Sequence, residues 1–168
     1  MRAVWADANL SEITVQDRSA RDDRFELRVL YASGRFAVRQ VLLSVMDGLS
    51  GLGLSDSEKA NIELVLAEAL NNVAEHAYHG VTAGLVELRV RRFPNHLSFV
   101  IMDEGHPMPT GEIPRHDATD TWTRGDLPEG GFGWLLLRTL ARNFAYKRVD
   151  GRNTLAFEIH FDRRLRDS

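Results

Sequence analysis

At 168 residues, with 43% hydrophobic and 27% charged residues, the chain has the make-up of one ordinary globular domain around one core. A formal charge of −3 argues against a nucleic-acid coat, which needs a basic surface, and the absence of cysteine excludes disulfides, thiolate zinc sites and thiol nucleophiles. Residues 1–23 mix acids and bases without an apolar run, unlike a signal peptide or anchor, and nowhere do about 18 apolar residues run together. The expectation is a cytoplasmic protein with no membrane segment and no direct nucleic-acid contact.

Residues 1–22 are polar and weakly patterned, which suits a tail or an added edge element, and the domain proper is expected over 23–168. Residues 25–31 alternate apolar and polar, the period of a half-buried strand, until Ser33-Gly34 interrupts them. Phe36, Val38, Val41, Leu42, Val45 and Leu49 recur at helical spacing, and Gly48, Gly51 and Gly53 end that helix. Ser55 and Glu58 have the spacing of a capping box, opening a long helix that runs to about Tyr78 and stops at His79-Gly80. Residues 85–93 and 97–102 alternate again around Pro94-Asn95, an antiparallel hairpin.

Residues 104–131 hold Pro107, Pro109, Pro114 and Pro128 among glycines and scattered charges. A loop this long inside a compact domain reads as a functional lid. A leucine-rich helix over 133–142 and two strands over 144–149 and 154–161 follow, the strands joined by the hairpin signal Asp150-Gly151. Adjacent strands with few crossovers predict an α/β two-layer sandwich, a mixed, mostly antiparallel sheet with helices on one face.

The chemistry concentrates on the long helix. At about 100° per residue, Ile62, Val65, Leu66, Ala69, Leu70, Val73 and Ala77 share one apolar face, and Glu68, Asn72 and His76 follow one another a turn apart along its border. A border stripe can face a cleft while packing holds it in place. The amide oxygen of Asn72 suits Mg²⁺, a hard ion that bridges phosphates and keeps waters, and the Glu68 carboxylate can accept a proton or orient water. Read alone, a Glu and an Asn one turn apart occur on many helices, and His76 alone suits a buried or capping histidine.

Two further segments add to that stripe. Asp103 and Gly105 directly follow a buried strand, where an acid can accept a hydrogen bond from an adenine amino group and a glycine lets a base approach the backbone. Gly130, Gly131 and Gly133 lie at a helix start, where exposed N–H groups favour phosphate. No Lys-Ser/Thr follows, so this is not a Walker loop.

Together, in this order and spacing, the segments resemble the GHKL ATPase superfamily, and within it the single-domain anti-sigma-factor serine/threonine kinases of bacteria. Glu68-x-x-x-Asn72-x-x-x-His76-Ala77 resembles that family's N-box, Asp103-x-Gly105 its adenine box, and Gly130-Gly131-x-Gly133 the glycine box that closes the lid. The resemblance spans about residues 24–162. It implies a Bergerat-type ATP site, with Asn72 on Mg²⁺, Glu68 as catalytic base, Asp103 on the adenine amino group, Gly105 against the ring, His76 lining the site, and Gly130, Gly131 and Gly133 cradling phosphates. Arg124 of the lid is a further phosphate contact to consider, beside a plain solvated loop charge. Pro107 stands where the adenine box often has a second glycine, and Arg142-Asn143 where an acidic pair is common.

The function so implied is an anti-sigma regulator that binds Mg-ATP and phosphorylates a serine or threonine of an anti-anti-sigma STAS-domain partner, controlling a sigma factor by partner switching. No phosphoacceptor-histidine, transducer or receiver domain is attached, so a full sensor kinase is not expected. A homodimer enters by family analogy alone. Two other classes compete: a non-catalytic, ATP-gated partner-binding module, and a structural α/β domain without nucleotide.

Overall fold

The computed structural model describes residues 14–17, 25–79, 84–108 and 132–162. Strands β1 (Thr14–Asp17), β2 (Glu26–Ala32), β3 (Leu85–Phe93), β4 (His96–Asp103), β5 (Arg142–Val149) and β6 (Arg152–His160) form one sheet in the order β1-β2-β3-β4-β6-β5. The expected mixed sheet is antiparallel at every described pairing. The reason lies in β6. It inserts between β4 and β5, which run parallel across the helical crossover, so neither has a parallel neighbour. Within 1–22, residues 14–17 supply the edge strand on β2.

Period two decides which side of the sheet is dry. Leu27, Val29 and Tyr31 of β2, Val86, Leu88 and Val90 of β3, Leu97, Phe99 and Ile101 of β4, and Leu155, Phe157 and Ile159 of β6 are buried, while their neighbours in sequence are more exposed. Helices α1 (Arg35–Gly48), α2 (Asp56–Asn72) and α3 (Phe132–Leu140) cover this face, α2 between the other two. Val38, Val41 and Val45 of α1 and Ile62, Val65, Leu66, Ala69 and Leu70 of α2 complete the core. Phe157 ties it together, its ring 5.2 Å from Phe99 and 5.5 Å from Phe144. No described helix is long and apolar enough to cross a membrane.

The turn chemistry read from the sequence is in place. Asp150 and Gly151 both have positive φ, 49° and 82°, as a type I′ hairpin turn requires. Ser55 caps α2 reciprocally, its Oγ accepting from the Glu58 N–H at 3.3 Å and its own N–H donating to Glu58 Oε2 at 2.7 Å. Ser55→Ala is expected to lower the unfolding free energy by about 1 kcal/mol in urea titrations, since the Glu58 N–H loses its side-chain acceptor.

One feature departs from the regular helix expected up to Tyr78. The α-helical pattern stops at Asn72, and Val73–Ala77 forms a single π turn. A π turn widens the helix and shifts every later side chain around the axis, and such turns recur at functional sites. Val73 and Ala77 stay buried, but His76 is exposed rather than continuing the half-buried border of Glu68 and Asn72.

Candidate functional site

The inward phase of two neighbouring strands ends in a polar residue. On β4 the series Leu97, Phe99, Ile101 ends at Asp103, and on β6 the series Ile159, Phe157, Leu155 ends at Asn153, its Cα partner. Both side chains are buried, and Asn153 Nδ2 donates to Asp103 Oδ1 at 2.8 Å. The Gly105 N–H donates to the same oxygen at 2.9 Å, closing the chain into a turn directly after β4. Among the described residues, both bonds fall on Oδ1, which leaves Oδ2 for an outside donor. Burial pushes the Asp103 carboxyl above its ordinary value. The hydrogen bonds from Asn153 and Gly105 and the nearby Arg148 charge oppose that rise, and Glu104 adds to it.

Asn153 is the hub of this end of the sheet. Its Nδ2 also reaches the His106 carbonyl at 3.0 Å, and its Oδ1 accepts from the Tyr146 hydroxyl at 2.8 Å and from Arg148 at 2.6 Å. Arg148 donates to the Gly105 carbonyl at 2.8 Å, and the Met108 N–H donates to the Tyr146 hydroxyl at 3.0 Å. The chain from Asp103 to Met108 is thus held by β5 and β6. None of Asn153, Tyr146 and Arg148 was singled out from the sequence. The available signal was a polar residue at position 153, on the phase that 155, 157 and 159 fill with apolar side chains.

The π turn meets the same loop from the helical side. The Ala77 carbonyl accepts from the His106 N–H at 2.7 Å, and a Cβ built at Gly105 would overlap that carbonyl, with the carbonyl carbon 2.7 Å away. Tyr78 continues the contact, its hydroxyl accepting from the Glu104 N–H at 3.2 Å and donating to the Leu85 carbonyl at 3.2 Å.

The other end of the helical stretch meets α3. A Cβ at Gly133 would overlap Glu68 Oε2, with Cδ at 3.2 Å, so the Glu68 carboxylate lies against the first turn of α3. Glu68 and Ala77 are nine residues apart, on the order of 13 Å along a helix. Asn72 lies between them, half-buried. Its amide nitrogen is sealed from solvent and has no hydrogen-bond partner among the described residues. An amide so placed is costly unless a partner completes it, and a half-turn of the side chain would offer Oδ1 there instead. The structure therefore sets the expected residues along one line: Glu68 with Gly133, then Asn72, then Ala77 with Gly105 and Asp103. His76 points to the exposed side, and no described contact joins it to the others. Gly130, Gly131 and Arg124 lie outside the described residues.

The two glycines differ in what crowds them. At Gly105 the obstacle is backbone, which cannot yield without moving the π turn. At Gly133 it is the far end of a flexible side chain. Gly105→Ala is expected to displace the loop and lower the thermal midpoint. Gly133→Ala is expected to keep the fold and push the Glu68 carboxylate aside, leaving the midpoint near that of the parent chain. Thermal melts of the two variants check this contrast.

Residues 32–159 match the histidine kinase-like ATPase domain family. The serine-protein kinase RsbW of Bacillus subtilis is 28% identical over 102 residues, and that of Bacillus velezensis 26% identical over 102 residues. Each match covers 60% of this chain and 64% of the relative, so the chain spans somewhat less than two-thirds of those proteins. The histidine kinase domain of the Erythrobacter litoralis EL346 blue-light activated histidine kinase aligns over 74% of this chain and 59% of its own, with a TM-score of 0.48 and 19% identity. The chain belongs to the histidine kinase-like ATPase domain family.

Proposed function

We propose that this chain binds Mg-ATP in the cleft between α2, α3 and the Asp103 end of the sheet, and transfers the γ-phosphoryl group to a serine or threonine of an anti-anti-sigma STAS-domain partner, so controlling a sigma factor. The observation that carries the nucleotide part is the Asp103 carboxyl, buried and fixed through Oδ1 by Asn153 and Gly105, with no partner on Oδ2 among the described residues, so that it can accept from an adenine amino group. Gly105, whose Cβ side is filled by the Ala77 backbone, locks the loop against the π turn and so fixes the Asp103 carboxyl, with Gly105 itself expected against the ring. The relatives named as serine-protein kinases support the transfer part.

The residues present fit a magnesium ion. The Asn72 amide, whose nitrogen is sealed and has no partner among the described residues, can turn its neutral oxygen to the same place one helical turn from Glu68, and Mg²⁺ bound there would neutralise phosphate charge. Gly133, at the start of α3, presents backbone N–H groups to phosphates, with Gly130 and Gly131 expected to extend that cradle. Glu68, against the same turn, accepts the proton of the partner's hydroxyl as its oxygen attacks the γ-phosphorus and the bond to the β-phosphate oxygen breaks, releasing ADP. Positioning and charge neutralisation supply most of the rate in such transfers.

The test is an incubation of the protein with Mg-ATP and a STAS-domain protein from the same organism, following phosphate on that protein and the thermal midpoint of this chain. Phosphorylated partner and a rise of the midpoint are expected. ATP bound without transfer would leave an ATP-gated binding module, and a flat midpoint at millimolar Mg-ATP would remove the nucleotide reading as well.

A further inference from the structure

The end of the sheet opposite Asp103 carries a second group of ligating side chains. His96 opens β4 and is the Cα partner of His160, the last residue of β6. Period two puts Glu158 on the same outer face. The Phe161 N–H donates to the Asn95 carbonyl at 2.8 Å, tying the β3–β4 turn to the end of β6 and holding the two histidines side by side. Their rings lie 4.8 Å apart at 15°, and Phe93 stacks on His96 at 4.5 Å. Glu158 Oε2 is 2.8 Å from His160 Nε2, and Oε1 is 3.9 Å from His96 Nε2. One ligand atom of each residue lies within 4.8 Å of the other two. His96 and Asp103 are the two ends of β4, seven steps apart and roughly 23 Å along a strand.

Outer contacts orient these ligands. His96 Nδ1 is 3.2 Å from Asn95 Oδ1, an acceptor for a proton carried on Nδ1, and that tautomer would leave Nε2, on the Glu158 side, to bind a metal. Asn143 Nδ2 donates to Glu158 Oε2 at 2.7 Å. Asn143 stands at the β5 bulge with φ 55°, and a bulge re-aims a side chain in this way.

We infer that His96, Glu158 and His160 form a binding site for one divalent transition-metal ion, best matched by Zn²⁺, that joins β4 to β6 at the rim remote from the nucleotide cleft. Two imidazoles and a carboxylate give three protein ligands and leave a fourth position to water. Imidazole nitrogen selects such ions over Mg²⁺ and Ca²⁺. Donors around Zn²⁺ sit about 3.3 Å apart, so the present spread closes by rotations of three partly exposed side chains. The site shares no residue with the nucleotide cleft and stands whether or not the proposed kinase function does.

The test is calorimetric titration of the full, tag-free chain with ZnCl₂ at neutral pH in a non-chelating buffer. One ion per chain with an affinity in the micromolar range or tighter is expected, together with a rise in thermal midpoint. His96→Asn, Glu158→Gln and His160→Asn should each weaken binding by at least about tenfold, and His79→Ala should leave it unchanged. Side-chain NMR of the unmodified chain gives a readout that needs no variant: Zn²⁺ should shift Nε2 of His96 and His160 and spare His79. No binding by the unmodified chain, equal binding by all three variants, or unshifted His96 and His160 resonances would overturn the inference.

Discussion

Asp103→Asn is expected to weaken ATP binding by about 100-fold, or about 3 kcal/mol. Asp103 Oδ1 already accepts from Asn153 and Gly105, and in the proposed site Oδ2 is the atom that would accept from the base. An asparagine keeps one acceptor and turns the other into a donor. If its oxygen stays on Asn153 and Gly105, its NH₂ meets the adenine amino group. If it turns over, its NH₂ meets the Asn153 amide and the Gly105 N–H. Either orientation leaves donors opposed in a buried place. Titration with a fluorescent ATP analogue measures the loss, and an affinity within threefold of the parent chain would remove Asp103 from the site.

The same carboxyl sets a pH dependence. The base needs the ionised form as acceptor, and burial raises the pKa, so the proton returns at a higher pH than for an ordinary aspartate. ATP affinity is therefore expected to be flat around neutrality and to fall on acidification, with its midpoint above the usual aspartate value. A midpoint at or below that value would show that Asp103 does not control binding.

Glu68→Gln is expected to lower phosphoryl transfer by about 10²- to 10⁴-fold, the usual contribution of a general base. The replacement is nearly isosteric, so its contact with Gly133 survives, and ATP affinity should stay within a few-fold of the parent. Single-turnover transfer to the partner, measured beside ATP titration, separates the two quantities. This variant also divides the competing readings. A kinase loses transfer and keeps ATP, whereas an ATP-gated binding module keeps its partner affinity and regulation unchanged. Transfer at the parent rate would mean that another group, or none, takes the hydroxyl proton.

Much of the framework was legible because it depends on local rules. The Ser55–Glu58 box, the Asp150-Gly151 turn and the apolar face of α2 follow from spacing over a few residues, and each is found where expected. Glu68 and Asn72 on the border of that face follow from the same periodicity. Local rules fail where the relevant partner is distant in sequence. Asn153 meets Asp103 across 50 residues because β6, not β5, pairs with β4, and no local pattern specifies that order. The π turn at Val73–Ala77 is another such case: its residues have unremarkable helical character, and the Ala77 carbonyl is spent on the His106 N–H instead of a regular continuation. That turn carries His76 to the exposed side while keeping Ala77 on Gly105.

By itself, then, the sequence determined the two-layer α/β class, the helix that carries Glu68 and Asn72, and the identity of the Asp103-x-Gly105 turn, since periodicity, capping and turn chemistry act within a few residues. Tertiary structure alone decided that β6 inserts beside β4, that Asn153 and Arg148 hold the Asp103 loop, that Glu68 rests on Gly133, and that His96, Glu158 and His160 converge at the far rim. Each of these is a contact between segments far apart in the chain, set by strand order and by packing against one shared core.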